Sequence, residues 1–181
     1  MDKQITAVIL AAGQSKRMGE AKLLLPWGET TILAQTIQNV QAAAVDDILL
    51  VSGGYRAKVE EVAQENGVPF VHNPQFAEGE MLSSLKVAVA TLKQADTETQ
   101  GHREKGMLVM LGDLPFLGAG VLDQVIGAYQ AGRGELVAPA YQGKRGHPVL
   151  IAGRFFEELL ALPADGAPRD LIRRHQEALY L

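Results

Sequence analysis

Short apolar segments alternate with amphipathic segments along the chain. Several of the apolar segments are continuously hydrophobic, which is typical of strands buried on both faces of a parallel sheet. The strands predicted in this way are Ile5–Ala12, Asp47–Ser52, Val68–His72, Met107–Leu111, Glu135–Ala140 and Pro148–Ala152.

The segments between these strands repeat their apolar residues at helical spacing, as Leu33, Ile37 and Val40 show. The predicted helices are Thr31–Ala44, Ala57–Asn66, Met81–Gln94 and Gly120–Ala131. Strands that alternate with helices indicate βαβ units. The fold class is therefore α/β, with three layers and a mostly parallel, Rossmann-like sheet that has helices on both faces. The polar segment Gln94–Lys105 has no apolar period and is predicted to be an exposed loop.

The length of 181 residues is typical of one compact domain, 1–181. Its last part, Leu171–Leu181, is helical in pattern but ends on Ala178-Leu179-Tyr180-Leu181. Natural termini are rarely this apolar. Our hypothesis is that another buried strand begins here and that the domain is truncated at its C-terminus; a native stop codon after Leu181 would contradict it.

The charge and cysteine content exclude several function classes. A net charge of -4 argues against a general binder of nucleic acid or of anionic membranes, which needs a concentrated basic face. The absence of Cys excludes disulfides, thiolate metal sites and thiol nucleophiles, and it is typical of a reducing compartment. The apolar run Ile5–Ala12 is too short to cross a bilayer. We expect a cytoplasmic protein with no nucleic-acid or membrane partner.

The first predicted strand leads into a loop of small residues and cations, Leu10–Lys22. Small residues let backbone N–H groups approach an anion closely, and Arg17 and Lys22 add charge that suits a polyphosphate. The loop has neither the GxGxxG order of dinucleotide sites nor the Gly-Lys-Ser/Thr end of a P-loop. For a single glycine turn, solvated basic residues would be the ordinary interpretation, but the length of this pattern favours a phosphate site.

The pattern Leu-Ala-Ala-Gly-x-Ser-x-Arg-Met-Gly-x-x-Lys in this loop resembles the signature of MobA-like NTP transferases. Within that family it is most similar to molybdenum cofactor cytidylyltransferases, because the guanylyltransferases usually have Leu-Ala-Gly-Gly. The resemblance implies a nucleotidyltransferase fold and CTP as the nucleotide. It also implies base and phosphate contacts at Leu10, Ala11, Ala12 and Gly13, and catalytic contacts of Arg17 and Lys22 with the triphosphate.

A carboxylate, Asp113, follows the predicted strand Met107–Leu111 directly. Open α/β sheets bind ligands at this edge, and Mg²⁺ takes few carboxylates together with substrate phosphates. A turn residue is the equally simple alternative. The family has Gly-Asp-x-Pro here, which implies that Gly112 contacts the nucleotide and that Asp113 is a catalytic ligand of Mg²⁺. Leu114 stands where the cytidylyltransferases typically have Gln, and the Asp-x-Asp-Thr-Pro segment usual near the C-terminus is absent.

The segment Asn73–Leu85 places two serines near a helix start, where anions are favoured and where one Ser could be a cap. Its Asn-Pro and Ser-Ser-Leu elements are similar to the family's. The resemblance implies nucleotide contacts at Gly79 and at Ser84, which we prefer to Ser83.

The segment Tyr141–Val149 is predicted to form two strands around a glycine turn, which ordinarily would be a solvated hairpin. The family shows Gly-x-x-Gly-His-Pro here. The resemblance implies that Arg145, Gly146 and His147 bind the acceptor, a molybdopterin-type phosphorylated molecule. A phosphate nucleophile is already ionised near neutral pH, so we expect His147 to position the acceptor rather than act as a base.

The hypothesis from sequence is a transfer of CMP from CTP to the terminal phosphate of the molybdenum-molybdopterin cofactor, which a molybdoenzyme partner would then receive. GTP with the same acceptor, or a sugar phosphate as acceptor, stays open. A non-catalytic module that binds nucleotide or cofactor for delivery is the alternative from another class. His72, His102 and His175 have no metal-ligand spacing and are interpreted as structural.

Overall fold

The computed structural model describes residues 3–13, 21–78, 80–99 and 104–181. These residues form eleven strands, in chain order β1 (Lys3–Ala11), β2 (Pro26–Trp27), β3 (Thr30–Thr31), β4 (Asp47–Ser52), β5 (Phe70–His72), β6 (Glu104–Leu111), β7 (Leu136–Val137), β8 (Ala140–Tyr141), β9 (Lys144–Arg145), β10 (Val149–Ala152) and β11 (Leu179–Tyr180). The helices are α1 (Ile32–Gln41), α2 (Arg56–Glu65), α3 (Glu80–Thr99), α4 (Ala119–Gln130), α5 (Phe156–Ala161) and α6 (Pro168–Arg174).

Seven of the strands form one sheet in the order β11-β7-β10-β6-β1-β4-β5. Strand β10 runs antiparallel to β6 and β7, while the other neighbouring pairs are parallel. Two short hairpins, β2-β3 and β8-β9, lie outside this sheet. The arrangement confirms the predicted mostly parallel sheet.

Strand β1 lies at the centre of the core. Its consecutive residues from Ile5 to Ile9 are all buried, and successive side chains in a strand point to opposite faces. Both faces of β1 are therefore covered. Helix α1 contacts α2 and α4 in one layer, and α5 contacts α3 and α6 in the other. The predicted three-layer α/β fold is confirmed.

The predicted loop Gln94–Lys105 is wrong at both of its ends. Helix α3 continues to Thr99, and β6 already begins at Glu104. Gln94 and Ala95, at the start of this polar part of the helix, are exposed. An apolar period marks only those turns of a helix that face a core, and its disappearance was misread as the end of the helix.

The predicted helix Leu171–Leu181 is also wrong in its second half. Helix α6 ends at Arg174, and Leu179 and Tyr180 form β11, which pairs in parallel with β7. The apolar end of the chain is thus a short, partly buried strand at one edge of the sheet. The predicted strand Glu135–Ala140 is divided between β7 and the start of β8, and α5 was not predicted. None of the described helices has the length and hydrophobicity needed to cross a bilayer.

Candidate active site

A cleft of about 420 Å³ opens at the carboxyl edge of the sheet. Because β6, β1, β4 and β5 are neighbours and run in parallel, the chain leaves all four strands at this edge. The cleft brings together six of the predicted site residues. They are Leu10, Ala12, Gly13, Lys22, Ser84 and Asp113.

An ion pair joins the two charged residues that line the cleft within the described part of the chain. Lys22 Nζ lies 2.7 Å from Asp113 Oδ2, and the side chains are 43% and 35% exposed. Lys22 is the first residue of the 3-10 turn Lys22–Leu24, and Asp113 is the second residue after β6. A pair this exposed adds little to folding stability, because solvent screens it. Lys22 and Asp113 can therefore separate and each bind a charged ligand at little cost in folding stability.

Gly112 holds Asp113 in place from beneath the cleft. Its backbone N–H donates to the carbonyl of Leu10 at 2.9 Å, and its own carbonyl accepts from the buried hydroxyl of Thr36 at 3.1 Å. A Cβ at this position would lie 3.1 Å from the Leu10 carbonyl oxygen and 3.2 Å from Leu33 Cδ1. Gly112 is therefore a close-packed joint rather than part of the wall.

The remaining predicted nucleotide contacts have different positions. Ala11 is buried as the last residue of β1 and, like Gly112, does not line the cleft. Arg17 and Gly79 lie outside the described residues. The structure thus places Ala11 in the core, behind the wall of the cleft.

A buried asparagine orients the serines of α3. The fully buried Asn73 donates from Nδ2 to the Oγ atoms of Ser83 at 2.8 Å and Ser84 at 3.0 Å, and its Oδ1 accepts from the backbone N–H of Gln75. Ser84 lines the cleft, whereas Ser83 lines a separate cavity. Since the Ser84 oxygen accepts from Asn73, its hydroxyl hydrogen can be donated to a ligand.

Sequence reasoning missed two groups of residues here. Asn73 was quoted only as part of a motif, although an Asn-Pro directly after a strand and ten residues before the serines was a usable signal. The apolar part of the wall was also missed, namely Leu23, Phe76, Met81 and Leu111. Of these, Phe76 stood out as an aromatic residue within the otherwise polar segment 73–80.

A second cavity of about 320 Å³ adjoins the cleft, and Met81 lines both. Its wall includes the predicted acceptor residues Arg145, Gly146 and His147, together with Arg169 at the start of α6. Val149 of β10 pairs with Val109 of β6 in antiparallel register, so the two residues before it bring His147 beside the end of β6.

The hairpin β8-β9 carries Arg145 to this cavity. Its two central residues, Gln142 and Gly143, have φ angles of 50° and 73°, as a tight type I′ turn requires. The backbone N–H of Gly146 donates to the Pro139 carbonyl at 2.8 Å, which fixes the chain just before His147. The predicted hairpin is confirmed. It is not merely a solvated turn, because its Arg145 lines the cavity together with Arg169 of α6 and makes that wall cationic.

His147 is neutral near pH 7. Burial lowers the pKa of its imidazole, and the charge of Arg145 lowers it further. A hydrogen bond with the Val109 backbone and the charge of Asp113 act in the opposite direction but do not outweigh burial. The cations available to an acceptor anion in this cavity are therefore the arginines.

The described residues contain no group of three or more His, Cys, Asp or Glu side chains that could enclose a metal ion. Asp113 instead offers a carboxylate at the mouth of the cleft. Mg²⁺ is commonly held by one or two carboxylates, with substrate phosphates and water completing its shell. Asp113 therefore fits a metal that arrives with a nucleotide rather than one enclosed by the protein.

The sequence profile of the MobA-like NTP transferase domain matches residues 7–178. This chain belongs to the MobA-like NTP transferases. The match covers the Leu10–Lys22 loop, Asp113 and the hairpin that carries Arg145. The predicted family is confirmed, and with it the reaction class of nucleotidyl transfer from an NTP.

Individual relatives of this MobA-like NTP transferase agree with that assignment. The molybdenum cofactor cytidylyltransferase of Escherichia coli (strain K12) is 31% identical over 150 residues, which are 82% of this chain and 70% of that protein. The bifunctional protein GlmU of Symbiobacterium thermophilum is 30% identical over 127 residues, 69% of this chain but 25% of GlmU.

Among solved structures, Rv0371c from Mycobacterium tuberculosis H37Rv is similar over almost the full chain. Its crystal structure has a TM-score of 0.78 and 30% identity, and the alignment covers 98% of this chain and 86% of that one. The same protein in complex with manganese has a TM-score of 0.76 and 29% identity, with coverage of 97% and 85%.

Proposed function

We propose that this chain transfers CMP from CTP to the terminal phosphate of the molybdenum-molybdopterin cofactor and releases pyrophosphate. One observation carries the proposal. The cleft with Lys22 and Asp113 adjoins a second cavity with Arg145 and Arg169, and the two cavities have Met81 as a common wall. A transferase needs this arrangement, because donor and acceptor must meet with their reacting phosphates side by side.

The donor is assigned to the cleft. The backbone of Leu10–Gly13 and the hydroxyl of Ser84 would contact the nucleotide, and Lys22 would leave Asp113 to contact the triphosphate. Lys22, together with Arg17 from the Leu10–Lys22 loop, would then stabilise the charge that grows on the leaving pyrophosphate.

The acceptor is assigned to the second cavity. Arg145 and Arg169 would hold its phosphate, and a planar guanidinium suits two phosphate oxygens at once. The neutral His147 would fix the orientation of the acceptor, since an ionised phosphate needs no base before it attacks the α-phosphorus in line. Catalysis would rest on positioning and electrostatics.

Asp113 is the proposed ligand of Mg²⁺, which supplies charge neutralisation for phosphate oxygens when it is bound. The manganese complex of the similar protein Rv0371c supports a divalent cation in this class of structure. In the structure described here, the Asp113 carboxylate is paired with Lys22. Movement of Lys22 onto the triphosphate would make that carboxylate available.

CTP is favoured by Ala11 and Ala12 in the glycine loop and by the similarity to the Escherichia coli cytidylyltransferase. A second candidate function is a module that binds the nucleotide or cofactor and delivers it to a molybdoenzyme. It is favoured by the cleft wall, where Asp113 is the sole acidic side chain among the described residues.

The test incubates the purified protein with molybdenum-molybdopterin, Mg²⁺ and each of the four NTPs, and measures pyrophosphate release and product mass. We expect product with CTP and none with the Asp113→Asn variant. Product with GTP instead would make the chain a guanylyltransferase. Binding of CTP without pyrophosphate release would favour the delivery module and overturn the proposed transfer.

A further inference from the structure

The charged residues of the cleft lie at one end and its aromatic residue lies at the other, among the residues that the structure describes. Lys22 and Asp113 lie at the end next to β6. Ala12 and Phe76 lie at the other end, next to β4, since a Cβ at Gly53 would be 2.7 Å from the Cβ of Ala12 and 2.6 Å from that of Phe76. The two ends therefore suit the two chemically different halves of a nucleotide.

The distance between the ends also fits a nucleotide. Strands β6, β1 and β4 are consecutive in the sheet, and neighbouring strands lie about 4.8 Å apart, so the ends of β6 and β4 are separated by roughly 10 Å. This span corresponds to the reach of an extended nucleotide from its phosphates across the ribose to the base. With the triphosphate at Lys22, the base arrives beside Phe76.

Phe76 is not explained by packing in the core. It belongs neither to the buried hydrophobic cluster nor to the apolar residues that pack against that cluster. It is half-buried, and its position is restrained by the close approach of Gly53 and by the ring of His72, whose centroid lies 6.1 Å away. Among the described residues that line the cleft, Phe76 is also the aromatic one.

We propose that Phe76 is the platform on which the nucleobase of the donor stacks. The inference rests on the proposed function only in that an NTP binds in the cleft. Stacking on an aromatic ring accepts any base, because every base has a π-face. Phe76 thus sets the affinity for the base, while the choice between cytosine and guanine falls to hydrogen-bonding groups of the backbone nearby.

The test measures the affinity of the full chain for Mg²⁺-CTP and for Mg²⁺-tripolyphosphate by calorimetry. The variants are Phe76→Ala, Phe76→Leu and Phe76→Trp, and the matched control is Phe70→Ala, which removes another half-exposed Phe, on β5. We expect Phe76→Ala to weaken CTP binding roughly 10- to 100-fold, as loss of one stacked base does, with tripolyphosphate unaffected. Leu should restore little, Trp should restore binding, and the control should bind as wild type.

Unchanged CTP affinity in Phe76→Ala would overturn the platform while the proposed transfer still stands. So would an equal loss for tripolyphosphate, which would mean that Phe76 only shapes the cleft. If wild type binds GTP better than CTP, the same series is run with GTP, and the donor assignment fails but the platform is still tested. Binding of none of the four NTPs to wild type would overturn both proposals.

Discussion

The amino edge and the carboxyl edge of the central sheet each carry a lysine, but the two lysines have different surroundings. At the amino edge, Lys3 donates to the carbonyl of Tyr129 at 2.8 Å and its Nζ lies 4.1 Å from the centre of the Tyr129 ring. Its side chain is 14% exposed. At the carboxyl edge, Lys22 meets Asp113 in a cleft and is three times as exposed. Lys3 is therefore packed within the fold, whereas Lys22 faces the cleft.

The tyrosine at the amino edge shows the same commitment. Tyr129 is fully buried, and its hydroxyl donates to the carbonyl of Lys105 at 3.0 Å. Burial, with the charges of Glu104 and Glu135, raises the pKa of Tyr129 to about 12, so the phenol stays protonated. Polar groups at this edge are satisfied within the protein, whereas those at the carboxyl edge are arranged for a ligand.

The largest expected effect separates the two lysines. We expect Lys22→Ala to lower turnover roughly 100-fold or more, by analogy with the loss of other groups that stabilise transition-state charge. Its melting temperature should stay close to that of wild type, because an exposed ion pair contributes little. Steady-state kinetics and thermal unfolding of the same preparations check both values.

Lys3→Ala is the matched control at the amino edge. This variant should retain turnover. Its melting temperature should be lower than that of wild type, because the Lys3 side chain packs against Tyr129. Normal turnover in a folded Lys22→Ala protein would remove Lys22 from the catalytic machinery. A loss of turnover in both variants at a temperature where both are folded would abolish the contrast between the edges.

An intermediate effect is expected from one added methyl group at each edge. A Cβ at Gly106 would lie 2.9 Å from Tyr129 Cε1, so Gly106→Ala should cost about 1–3 kcal/mol of stability by overpacking, with turnover retained. A Cβ at Gly53 would lie 2.7 Å from the backbone oxygen of Ala12, so Gly53→Ala should shift the cleft wall and weaken nucleotide binding. Denaturant titrations and nucleotide affinities measure the two effects.

Gly120→Ala serves as the neutral comparison for both glycines, since nothing lies within 4 Å of its added Cβ. Gly120 is the second residue of α4, so this change should leave nucleotide affinity as it is and change stability only slightly. If Gly106→Ala weakened nucleotide binding as strongly as Gly53→Ala does, strain would spread through the whole sheet and the two edges would not be independent.

The smallest expected effect concerns the pH dependence of stability. The pKa of His147 is lowered in the folded protein, so above the ordinary histidine pKa of about 6.5 neither state gains a proton. As the pH falls below that value, His147 binds a proton in the unfolded chain but stays neutral in the folded chain, so the free energy of unfolding decreases. The melting temperature of wild type should therefore fall more steeply from pH 7.5 to 5.5 than that of His147→Gln; parallel curves would contradict the assignment.

The sequence predicted those elements that pack along their whole length. Strand β1 is a continuous apolar run because it is buried on both faces, and helix α1 has a clear helical period because nearly every turn meets the core. The short helix α5 has six residues, fewer than two turns, which is too little for a period to appear. The end of α3 was missed because its sequence is polar and carries no apolar period, although the backbone stays helical to Thr99.

The site was predicted as far as chemistry is visible in residue type. Charged and hydroxyl residues such as Lys22, Asp113 and Ser84 can be recognised as site candidates from residue type alone. The parallel sheet then brings them to one edge. A one-dimensional pattern does not show which apolar residues leave the core, so Phe76 went unnoticed. It also does not show depth, so the sequence did not reveal how closely Gly112 is packed beside the cleft, and its contact with a nucleotide stays a prediction.

Because β10 runs in the reverse direction, the two adjoining cavities are built by different parts of the chain. Parallel strands supply the carboxyl edge with residues that follow them, but an antiparallel strand supplies the residues that precede it. The cleft with Lys22 and Asp113 therefore depends on how β1, β4 and β6 end, and the second cavity depends on how β10 begins. Insertions between β8 and β10 would therefore reshape the second cavity and leave the strand ends that build the cleft unchanged.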